Sequence, residues 1–250
     1  MKTGIITGAS SGMGREFVKL IMEEAPAYDE IWLIARRKER LEYWTRLYGK
    51  QKFRILPLDL TSALDMQVLE KELKEQKPEI ELLVHCAGFG IMGKIGEIPA
   101  KEQSEMVDVN CRSVVDLTAL VLPYMERGAR MIYLASSAAF LPQPGFAVYA
   151  ASKAFVLSFV RALGAELKSR KIHVTAVCPG AVRTEFFNRA AARKSLPAYK
   201  KLVMADPEKV VKKAWKDSLA GRQISVYGNM MKLFYLAAKL LPHSLFLRFM

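Results

Sequence analysis

The sequence predicts an α/β fold, a single domain built on a parallel sheet with intervening helices. Two observations carry that expectation. Strand-like apolar runs at 2–7, 31–35, 53–58, 80–86, 130–136, 172–178 and 223–227 alternate with helix-like stretches near 12–24, 38–49, 62–76, 102–126, 146–169 and 207–220, as crossover connections in a parallel sheet require. No Gly/Ser linker, low-complexity tract or repeat interrupts the alternation, and 250 residues, 51% hydrophobic and 25% charged, can bury one sizeable core.

The first strand, residues 2–7, runs into Gly8-Ala-Ser10-Ser11-Gly12-Met13-Gly14, and amphipathic sequence follows to Glu24. Glycines let the backbone approach closely, and the free N–H groups of the helix start, with the helix dipole, face an anion. This loop is expected to cradle a pyrophosphate. No Gly-Lys-Ser/Thr closes it, so it is not a P-loop. The second strand ends at Ala35 and gives way to Arg36 and Arg37; the third leads into Asp59-Leu60; the fourth ends in His85-Cys86-Ala87-Gly88. The helix-like stretch 102–126 contains Asn110.

The fifth run, Met131 to Ala135, reads as a buried parallel strand ending on Ser136, whose hydroxyl then faces the crevice where open α/β sheets bind ligands. Ser137 is also a serine, so the choice of Ser136 rests on its thirteen-residue interval to Tyr149. The next helix carries Tyr149-Ala-Ala-Ser-Lys153, a phenol and an ammonium on one face. A neighbouring cation stabilises a phenolate, so Lys153 is expected to lower the Tyr149 pKa from its ordinary value of about 10. After the strand at 172–178, Pro179-Gly180 offers another rigid turn at the same sheet edge.

These ordered motifs resemble those of the classical short-chain dehydrogenase/reductases over residues 2 to about 228. The resemblance implies a Rossmann-type, doubly wound parallel sheet of about seven strands with helices on both faces, binding a nicotinamide dinucleotide. It also implies roles. Tyr149 would exchange a proton with the substrate oxygen, Ser136 would polarise that oxygen, Lys153 would hold the nicotinamide ribose, and Asn110 would position a relay water. Gly8, Gly12, Met13 and Gly14 would line the pyrophosphate, with Leu60, Cys86, Ala87, Gly88, Pro179 and Gly180 around the cofactor. Asp59 would accept from the adenine amino group, and Val182 and Thr184 would anchor the pyrophosphate and carboxamide. The chain departs from the family at His85-Cys86, where two asparagines are usual.

An NAD-selective site places a carboxylate at the end of the second strand for the ribose 2′-hydroxyl, and here that position is Ala35. Arg36 and Arg37 can instead bond bidentately to a 2′-phosphate and stack on adenine. NADP(H) is therefore preferred over NAD(H), with Ser10 and Ser11 sharing the phosphate by resemblance. The expected activity is reduction of a ketone or oxidation of a secondary alcohol. The alternative is a catalytically silent NADP(H)-binding sensor or scaffold.

Residues from about 184 to 206 are expected to form a substrate lid, and Phe89, Phe140, Phe146, Phe186 and Phe187 suggest an apolar pocket. A bulky substrate, such as a hydroxysteroid or 3-oxoacyl compound, fits better than a small charged sugar. Formal net charge is +13, and residues 185–250 hold 13 Lys/Arg against 4 Asp/Glu. Such a basic rim attracts anionic partners. Residues 229–250 form an apolar, basic helical extension, broken too often by Lys232, Lys239, Pro242 and Arg248 to span a bilayer. It is expected to pack on its own or a sister subunit, with peripheral membrane contact as the second reading.

Cys86, Cys111 and Cys178 are scattered in apolar contexts, which fits reduced thiols, and Met1 leads directly into the first strand. A cytoplasmic location is expected, peripheral to a membrane in the second reading of the tail. His85, His173 and His243 lie far apart, so no metal is expected. A homodimer or homotetramer is implied by resemblance, and nothing resembles a nucleic-acid-binding motif.

Overall fold

The computed structural model describes residues 1–24, 28–49, 52–190 and 204–248. Seven strands form one parallel sheet in the order β3-β2-β1-β4-β5-β6-β7. In chain order the elements begin with β1 (Lys2–Thr7), α1 (Gly12–Glu24), β2 (Glu30–Ile34) and α2 (Lys38–Tyr48). Next come β3 (Phe53–Leu56), α3 (Ala63–Gln76), β4 (Glu79–His85), α4 (Ala100–Val107) and α5 (Ser113–Val121). Then follow β5 (Met125–Leu134), α6 (Ala147–Glu166), β6 (His173–Val177) and α7 (Phe186–Ala190). The chain closes with α8 (Pro207–Leu219), β7 (Ile224–Ser225), α9 (Asn229–Leu240) and α10 (His243–Leu247).

Successive strand residues point to opposite faces, so each strand feeds two cores. Ile5, Trp32, Leu83, Met131 and Val174 pack with α3, α5 and α6 on one face. Ile6, Leu33, Val84, Ile132 and Val177 pack with α1, α2 and α8 on the other. The expected doubly wound architecture results. Burial on both faces also explains why these strands read as continuous apolar runs.

Several element limits differ from the sequence expectation. The strands expected at 53–58 and 223–227 shrink to Phe53–Leu56 and Ile224–Ser225, because edge strands have one neighbour to set their register. The strand expected at 130–136 starts earlier, at Met125, and ends at Leu134, with a register shift in its pairing to β4. The continuous helix expected at 102–126 is broken. A wider π-turn, Asp108–Arg112, separates α4 from α5, and a 3₁₀ turn at Leu122–Tyr124 ends the segment. Turns of this kind re-aim a side chain inside a helix, and here Asn110 is the residue turned inward and buried.

The region expected to be a lid has clamped ends. Val182 and Ala205 form a parallel bridge, with Arg183 N–H donating to Ala205 O at 3.0 Å and Ala205 N–H to Ala181 O at 2.8 Å. Within it α7 is tied by Met92 N–H to Ala190 O at 2.9 Å. The remainder of the expected lid, 191–203, lies outside the described residues.

Candidate active site

Strand ends and helix starts converge at the carboxyl edge of the sheet, around one cleft of about 1180 Å³. At its floor the Gly-rich loop leaves β1. Gly8 has φ +65°, and a Cβ there would lie 2.8 Å from the Cys86 carbonyl carbon. A Cβ on Gly14 would lie 2.3 Å from Gly8 O, so the loop closes on α1 only with glycine. Thr7 Oγ1 accepts from Cys86 N–H and Ala87 N–H, both at 3.2 Å, and lies 3.3 Å from His85 Nδ1. Thus Thr7 and His85 join the ends of β1 and β4. Burial pushes the His85 pKa down to about 4, keeping the imidazole neutral.

Above this loop, Arg37 bridges both loop serines. Its guanidinium donates to Ser10 Oγ through Nε (3.3 Å) and Nη2 (3.0 Å), and to Ser11 Oγ through Nη2 (2.9 Å). Glu185, at the start of the lid, reaches the same place: it accepts from Arg40 Nη1 at 2.8 and 2.9 Å and lies 3.6 Å from Arg37. The bond from Arg40 leads the causes that hold its carboxyl below the usual range. Across the cleft Arg36 stands 3.6 Å from Asp59. Burial raises the Asp59 pKa, but bonds from the Thr61 N–H and hydroxyl, with the Arg36 charge, bring it below the ordinary value.

The proton-transfer candidates meet on the other side. Tyr149, Ser152 and Lys153 lie on the buried face of α6. Lys153 Nζ donates to Leu134 O at 2.7 Å and sits 5.8 Å from the Tyr149 ring centre. Asn110 is fixed behind it: Oδ1 accepts from Phe89 N–H at 3.1 Å, while Nδ2 donates to Phe89 O and Ser152 Oγ, each at 2.9 Å. A Cβ on Gly88 would lie 3.0 Å from Asn110 Oδ1 and 3.3 Å from Lys153 Nζ, so this glycine brings the two together. Ser136 begins the 3₁₀ turn Ser137–Phe140, its Oγ accepting from Ala138 N–H at 3.1 Å. Ser137 N–H donates to Pro179 O at 2.8 Å, which draws the Pro179-Gly180 turn into the same wall. Leu60, Met13, Val182 and Thr184 also line the cleft.

One electrostatic expectation is corrected. Tyr149 has its pKa raised to about 12, not lowered, because burial outweighs the bond with Ser136 that pulls it back. Lys153 moves the other way: burial lowers it to about 8. The ammonium is directed to the Leu134 carbonyl rather than to the phenol. The arrangement therefore presents a protonated phenol, able to donate, beside a lysine that titrates near neutrality.

Of the five phenylalanines expected at the substrate end, Phe89, Phe146, Phe186 and Phe187 line the cleft. Phe146 stacks on Tyr149 at 4.3 Å between centroids, and Phe186 lies 5.4 Å from it. Phe140 does not line it. It turns into the core against Tyr235 and Phe234, at 4.7 and 6.2 Å, because α9 covers it. Met230, Met231 and Phe234 of α9 occupy cleft wall instead.

With that geometry in view, comparison with known proteins identifies the chain. The family model for short chain dehydrogenases matches residues 2–195. The chain belongs to the short chain dehydrogenase family. Benzil reductase ((S)-benzoin forming) of Saccharomyces cerevisiae is 31% identical over 194 residues, covering 74% of this chain and 73% of the relative. Sulfoacetaldehyde reductase 2 of Chromohalobacter salexigens is 34% identical over 187 residues, covering 73% of each. A short-chain dehydrogenase from Sphingobium yanoikuyae, solved in complex with NADPH, superposes with a TM-score of 0.79 at 28% identity, covering 90% of this chain and 87% of that one. This short chain dehydrogenase is thus an NAD(P)-dependent oxidoreductase acting on carbonyl or alcohol groups.

Sequence reading overlooked several residues of this dehydrogenase's site. Gly90 makes room for the phenol, since a Cβ there would lie 2.7 Å from Tyr149 Cδ2 and 2.8 Å from Phe146 Cζ. Ser152 orients Asn110, and its place between Tyr149 and Lys153 was a usable signal. Arg40, Glu185 and the α9 methionines gave none, because their partners are distant in sequence.

Proposed function

We propose that this dehydrogenase is an NADPH-dependent reductase of bulky, apolar ketones, in which Tyr149 supplies the proton. The observation that carries the cofactor preference is Arg37 held across Ser10 and Ser11, with Arg36 beside it and Ala35 where a carboxylate would select NAD. The cleft fits the group: its glycine floor tolerates no side chains at Gly8 or Gly14, and its basic mouth suits a 2′-phosphate. When bound, the nicotinamide supplies or accepts the hydride.

The chain's own residues do the rest in this reading. Gly8, Ser11, Gly12, Met13 and Gly14 receive the pyrophosphate, and Asp59, Leu60, Cys86, Ala87 and Gly88 border the adenosine and ribose. Val182 and Thr184 anchor the far end. Ser136 donates to the substrate oxygen, and Tyr149, protonated throughout the physiological range, passes its proton to it. Lys153 holds the ribose, while Asn110 keeps the Phe89 backbone and Ser152 in register with it. Phe89, Phe146, Phe186, Phe187 and the α9 residues surround the rest of the substrate.

Two features support a bulky apolar substrate over a small charged one. The walls beyond Tyr149 are mainly apolar, with Phe89, Phe146, Phe186, Phe187 and the α9 methionines beside Gln143, Pro144 and Gly145, and Lys153 is the one cation among the described lining residues at that end. The benzil reductase likeness agrees, while the likeness to sulfoacetaldehyde reductase 2 makes a small sulfonated aldehyde the competing substrate. Three free thiols, buried or half-buried, suit a reducing, cytoplasmic setting. Initial rates with NADPH and NADH across aryl diketones, steroids, 3-oxoacyl thioesters and sulfoacetaldehyde test this proposal. Faster turnover of the bulky ketones with NADPH is expected; a preference for sulfoacetaldehyde or for NADH would overturn it.

A further inference from the structure

Helix α9 is apolar on two opposite sides. Its inner side, Met231, Phe234, Tyr235 and Ala238, packs on the core, and Met230, Met231 and Phe234 also wall the cleft. Its outer side carries Leu233, 68% exposed, Leu236, and Leu240, 70% exposed. At about 100° per residue these leucines share one arc of the helix, and Lys232 and Lys239 border that arc. Leu241, in the turn after α9, and Leu245 and Leu247 in α10 are exposed as well. Scattered exposed leucines are ordinary, but a contiguous run on a terminal helix is a contact surface.

Charge selects the occupant. From residue 229 to 250 the sequence has Lys232, Lys239 and Arg248 and no Asp or Glu. Lys232, Lys239 and Arg248 are exposed. A second copy of this face would bring cations against cations, whereas anionic lipid headgroups pair with lysines whose apolar neighbours enter the acyl boundary. We propose that α9 and α10 form a peripheral membrane-docking surface for an anionic lipid interface. The same helix then faces lipid on one side and the substrate cleft on the other, which gives a bulky apolar ketone a short route from the lipid phase. This last step rests on the substrate reading above; the docking itself does not.

Co-sedimentation of the full chain with vesicles of phosphatidylcholine, alone and mixed with phosphatidylglycerol, tests the docking. Wild type is expected to pellet with the mixed vesicles, and high salt to weaken binding. The Leu233→Glu/Leu240→Glu double variant is expected to stay in the supernatant while reducing a water-soluble ketone at the wild-type rate. Lys232→Glu/Lys239→Glu is expected to lose at least tenfold of the binding. Retention of wild type in the supernatant with mixed vesicles, equal binding to neutral ones, or an oligomer in sedimentation velocity that the leucine variant dissolves would each overturn the proposal. Loss of ketone turnover in wild type would count against the substrate reading and leave the pelleting result standing.

Discussion

The two ends of the cleft are built by different physics. At the end proposed for the adenosine, exposed or half-exposed groups stand on the backbone of two consecutive strand-to-helix turns: Gly8, Ser10, Ser11 and Gly12 after β1, and Arg36 and Arg37 after β2. At the chemical end, Tyr149, Lys153 and Asn110 are buried and are placed by contacts between α6, the π-turn and the segment after β4. Recognition of a phosphate needs local backbone and long, adaptable cations, and solvent screening is tolerable there. Tuning a proton needs desolvation, and only the assembled core supplies it.

That contrast makes the two ends separable by mutation. The largest expected effect is at the chemical end. Gly90→Ala puts a methyl into the Tyr149 ring, and kcat is expected to fall about a hundredfold through misplacement while NADPH affinity, read by fluorescence titration, holds. An equal loss in both would erase the distinction between the ends. Next, Arg37→Ala removes charge-assisted bonds at the proposed 2′-phosphate site, and NADPH affinity is expected to drop about tenfold to a hundredfold. NADH affinity should barely change, and a parallel loss for both cofactors would contradict a 2′-phosphate role.

A pH series sharpens the comparison further. Burial lowers Lys153 to about 8, so its charged form prevails below that pH and is lost above it. The free enzyme's kcat/KM for NADPH is expected to fall about tenfold per unit above that midpoint, whereas Tyr149, raised to about 12, imposes no limb at neutral pH. A flat profile to pH 10 would show that Lys153 keeps its proton. The smallest effect belongs to Glu185, whose carboxylate occupies Arg40 and neighbours Arg37. Glu185→Gln is expected to tighten NADPH a few-fold, the size of an exposed ion pair, with NADH unaffected; weaker NADPH binding would mean the pair steadies the site instead.

Much of the fold was legible because strand burial on both sheet faces writes itself as apolar runs, and the Gly-rich loop marks its own turn. Helix α1 fell at residues 12–24 as expected, since glycine spacing sets its start. The π-turn at Asn110 was not legible, because the groups its amide meets, the Phe89 backbone and the Ser152 hydroxyl, are distant in sequence. Phe140 failed for a similar reason: nothing in its neighbourhood announces that α9, nearly a hundred residues later, will cover it. The sign of the Tyr149 shift was missed because spacing reports proximity to Lys153 and says nothing about burial.

The most direct test of the central claim, that Tyr149 is the proton donor of an NADPH-dependent reductase, is Tyr149→Phe measured by NADPH titration and steady-state turnover on one bulky ketone. The account predicts unchanged NADPH affinity with turnover reduced by at least about a hundredfold. Turnover near the wild-type rate would contradict it and require another donor in the cleft.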